Sequence, residues 1–225
     1  MSAYFITATG TDIGKTFVAR GLIRALLARG RKVAALKPVV SGFEPAEAAG
    51  SDSGLLLSAL GRPVTLDAIA EISPWRFAAP LAADMAAARE GRTLDTRELI
   101  RFCHGAIAAN PDVLLVEGAG GVMSPVSADY IVLEWMAALG LPVILVAGSY
   151  LGTISHTLTA LDVIARRGLA VTTLVISETP GSPVRLDETR DTIARFAPQL
   201  DVVALPRLAP SVLEHPAFDR IAERL

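Results

Sequence analysis

The sequence contains little cysteine, no excess of either charge and no long apolar run. Cys103 is its one cysteine, which excludes an internal disulfide and is typical of a reducing compartment. The formal net charge is −2, so nothing in the composition favours nucleic acid or an anionic membrane as a partner. No basic region followed by a long apolar run begins the chain, and the apolar runs near Val143 and Val171 are too short to cross a bilayer. We therefore expect a cytoplasmic protein with no membrane and no nucleic-acid partner.

Lysine is also scarce, because positive charge is carried by 18 arginines and only three lysines. Where arginine dominates so strongly, a lysine can mark a site that needs a compact ammonium. Lys15 and Lys37 lie at positions that favour this interpretation, whereas Lys32 follows a turn and is expected to be a solvated charge. The 225 residues are 52% hydrophobic and 20% charged, which suits one compact domain over residues 1–225.

A short apolar run that begins at Ala3 leads into a small, polar loop that ends in Gly14-Lys15-Thr16. An apolar helical pattern follows, so the stretch predicts a strand, a phosphate-binding loop and a helix. Lys15 would reach the outer phosphates of a nucleotide, and the Thr16 hydroxyl would bind Mg²⁺. The loop departs from the standard spacing, because Thr9 stands where a glycine is expected five residues before Gly14.

Apolar runs that predict strands alternate with stretches of helical periodicity along the rest of the chain. Strands are predicted at 32–37, 113–117, 143–147, 171–177 and 202–205, and helices at 17–29, 52–60, 81–90, 95–109, 131–139, 156–167, 185–196 and 217–225. Residues 62–91 are the least regular, with a turn-rich excursion before their helix. The alternation predicts an α/β, P-loop NTPase fold with a mostly parallel sheet and helices on both faces.

Several polar residues are predicted at the carboxyl ends of strands, where such sheets bind ligands. Glu117 ends an all-apolar strand, so its carboxylate needs a partner, and a metal ion is a natural one. Asp52 begins a helix and is either a metal ligand or an acid stabilised by the helix dipole. Lys37 follows four apolar residues and is interpreted as a clamp on the γ-phosphate.

Three further residues keep two interpretations each. Asp12 is either an outward-facing loop acid or a carboxylate that binds a substrate amine beside the γ-phosphate. Ser41 is either a turn residue or a hydrogen-bond partner of phosphate or acceptor. His156 follows Gly152-Thr153-Ile154-Ser155, a turn that either binds an anion through its N–H groups or is capped by its own hydroxyls.

Six motifs occur in one order along the chain, at residues 9–16 (TGTDIGKT), 37–42 (KPVVSG), 51–52 (SD), 116–121 (VEGAGG), 141–146 (LPVILV) and 151–156 (LGTISH). Together they resemble the dethiobiotin synthetase family over nearly the whole chain. The resemblance implies a homodimeric ligase of biotin synthesis that depends on ATP and Mg²⁺. It would form a cyclic urea from 7,8-diaminononanoate and CO₂, through a carbamate and its phosphoric anhydride, and release ADP and phosphate.

The resemblance also implies roles for individual residues. Lys37 and Lys15 would be catalytic, and Asp12 and Ser41 would contact the diamine or the carbamate. The turn Tyr150-Leu151-Gly152-Thr153 of one subunit would bind the carboxylate of the substrate held in the other subunit. Thr16, Asp52 and Glu117 would hold Mg²⁺. The nucleotide would be bound by Asp12, Ile13, Gly14, Lys15, Thr16, Phe17, Asp52, Glu117, Gly118, Ala119, Gly120, Ser177, Pro206, Arg207 and Leu208.

The chain departs from this family pattern at three places. Ala8 stands where the family usually has glycine, and the family's Ser-Pro-His is replaced by Ala82-Ala83-Asp84. Ser177-Glu178 replaces Asn-Asp, whose amide would read the adenine edge. A serine offers one hydroxyl and not an amide's paired donor and acceptor, so looser base selectivity is expected.

Three other functions compete with the ligase. Partitioning-type ATPases often place a second lysine early in the phosphate loop, where this chain has Thr9-Gly10-Thr11. An amidotransferase relative would need a nucleophilic cysteine, and Cys103 has no such setting. A plain nucleotide-binding module would not require Lys37 or Asp12.

Overall fold

The computed structural model describes residues 2–109 and 111–225. Within them the strands are β1 (Ser2–Ala8), β2 (Val33–Leu36), β3 (Val39–Ser41), β4 (Trp75–Phe77), β5 (Val113–Glu117), β6 (Pro125–Ser127), β7 (Tyr130–Ile131), β8 (Val143–Gly148), β9 (Val171–Ser177) and β10 (Asp201–Leu205). The helices are α1 (Lys15–Ala28), α2 (Asp52–Ala59), α3 (Leu66–Ile72), α4 (Ala83–Arg89), α5 (Thr96–Ala108), α6 (Val132–Leu139), α7 (Thr153–Arg166), α8 (Leu186–Phe196) and α9 (Pro216–Ala222), with a 3₁₀ helix at Pro45–Gly50.

The central sheet of the described residues has six parallel strands in the order β10-β9-β8-β1-β5-β2. Its middle strands are apolar and buried along their length, as expected for strands covered on both faces. Phe5 packs edge to face on Trp135 of α6, with ring centroids 5.0 Å apart. Its neighbour Tyr4 points to the opposite face and donates a hydrogen bond to Leu225 O, next to α9. Helices therefore cover both faces of the sheet, which confirms the predicted fold class.

The parallel strands bring the phosphate loop and the ends of β2, β5, β8, β9 and β10 to one edge of the sheet. β1 pairs with β5 and β8, so it lies between two groups of strands at this edge. β5 and β2 lie on one side of it, and β8, β9 and β10 lie on the other. The position of each strand relative to β1 therefore determines on which side of the phosphate loop its last side chains lie.

Most predicted elements are present, and their ends agree with the prediction to within three residues. The predicted start of α7 at His156 is wrong, because the helix begins at Thr153. Gly152 caps it in the left-handed region at φ 97°, and the Thr153 hydroxyl donates to Gly148 O at 2.7 Å. The polar residues that looked like a turn therefore form the first helical turn.

The excursion between β2 and α5 contains elements that the sequence did not predict. These are the 3₁₀ helix, α3 and the small parallel pair β3–β4, while β6–β7 form a separate antiparallel pair after β5. The last helix ends at Ala222 and not at Leu225. In the part of the chain that the structure describes, no helix has both the length and the apolar character needed to cross a membrane.

Candidate functional site

The loop between β1 and α1 wraps around the ammonium of Lys15. Gly14 adopts φ 106°, and Asp12 is the one non-glycine residue with positive φ among those described, at 57°. Lys15 is only 6% exposed, and its Nζ donates to Gly10 O at 3.3 Å. Burial lowers the pKa of Lys15 to about 8, and repulsion from Lys37 acts in the same direction. The loop therefore holds a desolvated ammonium at the N-terminus of α1, an arrangement that favours an anion.

Lys37 lies just beyond β2, where its ammonium meets two carboxylates. Its Nζ is 2.5 Å from Glu117 Oε1 and 3.0 Å from Asp52 Oδ2, and it donates to Gly118 O at 3.2 Å. Lys37 and Glu117 are 4% and 1% exposed. Burial opposes the charge of Lys37, but Glu117 and Asp52 outweigh it and raise the pKa of Lys37 above its ordinary value. Burial likewise opposes the charge of Asp52, and Lys37 still holds the pKa of that carboxyl below its usual range.

The same carboxylates reach the first residues of α1. Thr16 Oγ1 donates to Glu117 Oε1 at 2.8 Å, which places the hydroxyl and both acids around one point. Glu117 Oε2 is buried and has no hydrogen-bond partner among the described residues. An orphaned carboxylate oxygen in such a setting favours a cation.

A magnesium ion fits this donor set. No cluster of three or more histidine, cysteine, aspartate or glutamate side chains forms a metal site in residues 2–109 and 111–225. A metal at this point would have to be held by Thr16, Asp52 and Glu117 together with phosphate oxygens. Mg²⁺ prefers this arrangement, because it takes a few hard oxygen ligands from the protein and the rest from substrate and water.

A cavity of about 540 Å³ opens over these groups. It brings together ten of the residues singled out from the sequence: Asp12, Gly14, Lys15, Thr16, Lys37, Ser41, Asp52, Glu117, Ala119 and Gly120. Its remaining lining residues are Thr11, Val39, Pro80, Leu81, Ala82, Ala83 and Ser124. The lining therefore combines charged and polar groups with the apolar side chains of Val39 and of the segment 80–83.

The sequence did not single out Thr11, Ser124 or Pro80–Leu81 as site residues. Ser124 Oγ accepts a hydrogen bond from the N–H of Gly121 at 2.7 Å and so fixes the glycine turn after β5. Pro80 reaches the site because Gly42, at φ 71°, packs against it and donates its N–H to Ala79 O. The Gly-x-x-Ser spacing at Gly121–Ser124 is a local signal that could have indicated Ser124.

The turn Tyr150–Thr153 is not part of the cavity lining within the described chain. Leu151 is 79% exposed, and the Tyr150 hydroxyl lies 2.8 Å from His156 Nδ1. The N–H of His156 donates to Gly152 O as in an ordinary first helical turn. The tip of the turn at Leu151 and Gly152 is therefore exposed, while Thr153 is buried at the start of α7. Within the described chain, the turn does not reach its own cavity.

Ser177 and the residues that follow β10 lie on the same side of β1 as this turn. A Cβ at Gly14 would lie 3.0 Å from Ser177 Oγ, so the serine touches the phosphate loop. Glu178 Oε2 accepts from the N–H of Arg207 at 2.8 Å. Ser177, Pro206, Arg207 and Leu208 are thus near the loop but separate from the cavity, and so are Ile13, Phe17 and Gly118.

Cys103 lies in the core on α5 and does not have the environment of a nucleophile. It is fully buried, and burial raises the pKa of its thiol to about 12. A thiol with that pKa is not ionised at neutral pH.

Comparison with known proteins gives both a family and a fold. A protein-family model described as an AAA domain matches residues 2–214. A protein of Methylobacterium nodulans named ATP-dependent dethiobiotin synthetase BioD is 49% identical over 202 residues, which cover 88% of this chain and 90% of that protein. A protein of the same name from Caulobacter vibrioides is 48% identical over 208 residues, 92% of this chain and 93% of its own.

Solved structures show the same fold at much lower identity. The septum site-determining protein MinD of Pyrococcus horikoshii, complexed with Mg-ADP, has a TM-score of 0.56 at 16% identity and covers 99% of this chain and 95% of its own. A ParA family ATPase of Chlorobium tepidum has a TM-score of 0.56 at 13% identity, with 100% and 99% covered. The predicted P-loop NTPase fold is therefore confirmed, although such distant likeness shows the fold alone.

Proposed function

Because the chain belongs to the ATP-dependent dethiobiotin synthetase family, we propose that it closes the ureido ring of dethiobiotin. Its substrates would be 7,8-diaminononanoate, CO₂ or bicarbonate, and Mg-ATP, and its other products ADP and phosphate. The observation that carries this proposal is the buried ammonium of Lys37, held by Glu117 and Asp52 beside the phosphate loop. A nucleotide-binding module without chemistry has no use for a second buried lysine there.

The reaction contains two group transfers, that of the phosphoryl group to the carbamate and that of the carbamoyl group to the second amine. One amine of the diamine adds to CO₂ and loses a proton, which gives a carbamate. A carbamate oxygen then attacks the γ-phosphorus of ATP, and the bond to the β-phosphate oxygen breaks as ADP leaves. Finally the second amine attacks the carbamate carbon and loses a proton to solvent, and the C–O bond to phosphate breaks as the ring closes. Each transfer develops charge on phosphoryl oxygens, which fixed cations stabilise.

Lys15 and Lys37, which both line the cavity, would supply those cations. Lys15 and the N–H groups of the loop through Phe17 would hold the outer phosphates, with the N-terminus of α1 adding its dipole. Lys37 lies on the β2–β5 side, beside Ser41, and would neutralise the γ-phosphoryl group during transfer. Because its ammonium is desolvated, its charge acts at lower dielectric than in water.

Mg²⁺ would be held by Thr16, Asp52 and Glu117. Glu117 Oε2 could coordinate it, because this buried oxygen has no hydrogen-bond partner among the described residues. The ion would supply charge neutralisation of the nucleotide phosphates. Gly118, Ala119 and Gly120 would line the nucleotide from the same turn.

Asp12 and Ser41 would receive the diamine end of the substrate. Asp12 is exposed in an anion-binding loop and adopts φ 57°, a conformation that is rare for a non-glycine residue. Backbone strain of this kind persists where function requires it. A carboxylate there would offset the phosphate charge and attract an amine.

The substrate carboxylate would be bound by a second copy of the chain in a homodimer. The tip of the turn at Leu151 and Gly152 is exposed, and Gly152 leads directly into the N-terminus of α7. Because the turn lies outside the cavity of its own chain, a partner subunit is the way in which it could reach a substrate.

Two rival functions fit less well. A partitioning ATPase shares the fold, yet relatives at 48% and 49% identity are synthetases, and the loop has no second lysine. An amidotransferase would need a reactive cysteine, and Cys103 is buried with a raised pKa.

Labelled bicarbonate tests the proposal. The protein is incubated with ¹³C-bicarbonate, Mg-ATP and the diamine, and the product is analysed by mass spectrometry and carbon NMR. The expected result is one labelled carbon in a cyclic urea, with one phosphate released for each ring. Phosphate release without a labelled urea would contradict the proposed ligase.

A further inference from the structure

Glu178 contacts the chain beyond β10 at two points. Its backbone N–H donates to Leu205 O at 2.9 Å, and its Oε2 accepts from the N–H of Arg207 at 2.8 Å. Pro206 has no N–H, so the Arg207 amide is the first donor after the end of β10. A carboxylate acceptor makes this hydrogen bond charge-assisted and stronger than a neutral one. Glu178 therefore fixes the direction in which the chain leaves the sheet.

The residue before Glu178 connects the same segment to the phosphate loop. Ser177 pairs in register with Leu205, and its Oγ lies against Gly14. Residues 206–208 consequently begin next to the strand whose last side chain touches the loop. A ligand that extends from the loop toward β9 and β10 would meet their backbone.

The order of the strands indicates that the base of a nucleotide extends in this direction. Lys37 and Glu117 lie beyond β2 and β5, on one side of β1, and the γ-phosphate must face them if the proposed function holds. The nucleoside then leaves the loop on the opposite side of β1, where β9 and β10 end. This inference rests on the proposed nucleotide-dependent reaction.

The far end of the segment is also held. It leads into α9, where the ring of Phe218 lies 5.9 Å from that of Phe17 on α1, centroid to centroid. Gly21 leaves room for Phe218, because a Cβ there would come within 2.4 Å of its ring. The packing of α9 on α1 fixes the end of this segment. At its start, residues 206–208, the N–H of Arg207 to Glu178 is the one hydrogen bond among those described for these residues.

We propose that Glu178 is a positioning residue for the nucleotide base. Through the N–H of Arg207 it holds the backbone of residues 206–208 against the base, and it acts on neither the phosphates nor the reacting atoms. Base affinity should therefore depend on Glu178, whereas phosphate affinity and the chemical step should not.

The test compares a ligand that has a base with one that lacks it. Mg-ATP and Mg-tripolyphosphate are titrated calorimetrically into the full-length wild type, Glu178→Ala and Glu178→Gln. Glu188→Ala is the matched control, because Glu188 Oε2 also accepts a backbone N–H, that of Arg185 at 3.3 Å, on α8. Glutamine keeps an oxygen that can accept from Arg207, so it should restore binding.

Glu178→Ala is expected to bind Mg-ATP about tenfold more weakly and Mg-tripolyphosphate within about twofold of wild type, since one charge-assisted hydrogen bond is lost. The KM for ATP should rise while kcat at saturating ATP is retained. Glu178→Gln and Glu188→Ala should resemble the wild type. Equal weakening of both ligands, or none, in Glu178→Ala would contradict the positioning role. A wild type that binds neither ligand would instead overturn the nucleotide site itself and this proposal with it.

Discussion

The two halves of the sheet's carboxyl edge differ in burial and in charge. Beyond β1, β2 and β5, Lys15, Lys37 and Glu117 are at most 6% exposed and form a desolvated ionic cluster. Beyond β8, β9 and β10, Leu151 is 79% exposed. There Ser149 and Thr179 hold the loops by exchanging backbone and hydroxyl hydrogen bonds at 2.9 and 3.1 Å.

Under the proposed function, this difference separates the residues of the chemical step from those that recognise the substrates. Fixed charges accelerate group transfer most where water is excluded, which explains why the ionic half is buried. Under the proposed function, loops that contact a base or a partner subunit must stay accessible. They are held by the neutral bonds of Ser149 and Thr179 and by the partly exposed carboxylate of Glu178. Changes in the first half should therefore affect turnover, and changes in the second should affect substrate affinity.

The largest effect is expected for Lys37→Ala in the ionic half. Loss of a fixed cation at the γ-phosphate should reduce kcat by about a thousandfold. Nucleotide affinity should stay within about threefold, because Lys15 and the loop remain. Steady-state turnover and calorimetric ATP binding measure the two effects.

Lys32→Ala is the matched control, since Lys32 is an exposed lysine of the same chain. Its activity should equal that of wild type. Near-wild-type turnover of Lys37→Ala would mean that its assigned role is wrong.

A change in the recognition half should instead act on the diamine. Gly152→Val strains a position at φ 97°, so the turn Tyr150–Thr153 is displaced and the KM for the diamine should rise about tenfold or more. Gly168→Val imposes the same kind of strain at φ 70°, beyond the other end of α7, and should leave that KM unchanged.

Mixing this variant with Lys37→Ala shows whether the site is shared. If one subunit supplies the turn and the other the lysine, co-refolded mixed dimers regain up to about a quarter of wild-type activity at low diamine. Activity no higher than that of the separate variants would show that each chain completes its own site.

The lowered pKa of Lys15 predicts proton uptake when a nucleotide binds. Below about pH 8 the ammonium is already charged, and above it the free protein has lost this proton. Phosphate favours the charged form, so ATP binding at pH 8.5 should take up about three quarters of a proton, whereas binding at pH 7 takes up little. Calorimetry in buffers of different ionisation enthalpy measures the uptake. Equal uptake at both pH values would contradict the lowered pKa.

The smallest effect concerns the base. Ser177 offers one hydroxyl, so ATP, CTP and GTP should support turnover within about threefold of one another. Initial rates at equal nucleotide concentration measure this, and strict dependence on ATP would contradict it. Together with Glu178→Ala the comparison shows how much selectivity the backbone of residues 206–208 provides.

The fold was predictable from the sequence because its strong signals are local. The sequence at β1–α1 predicts an apolar strand, a glycine-containing loop and an amphipathic helix. Glu117 is recognisable as an acid that ends a buried strand. Residues 37 and 117 also lie at strand ends that a parallel sheet must bring to one edge.

The parts that were missed depend on contacts between distant segments. Pro80 lines the cavity because Gly42 packs against it. β3 pairs with β4, although more than thirty residues separate the two strands in sequence. The start of α7 was misplaced because Thr153 and Ser155 are typical of turns as well as of first helical turns. No local pattern marks Glu178 as the partner of Arg207, since the pair is joined through the ends of β9 and β10.

The diamine dependence of phosphate release tests the central claim most directly. Phosphate is measured with Mg-ATP and bicarbonate, with and without 7,8-diaminononanoate. Release is expected to rise steeply with the diamine and to be nearly absent without it, because the proposed reaction transfers the γ-phosphate to a carbamate formed on that substrate. Release at the same rate without the diamine would contradict the ligase and indicate a nucleotide-driven switch.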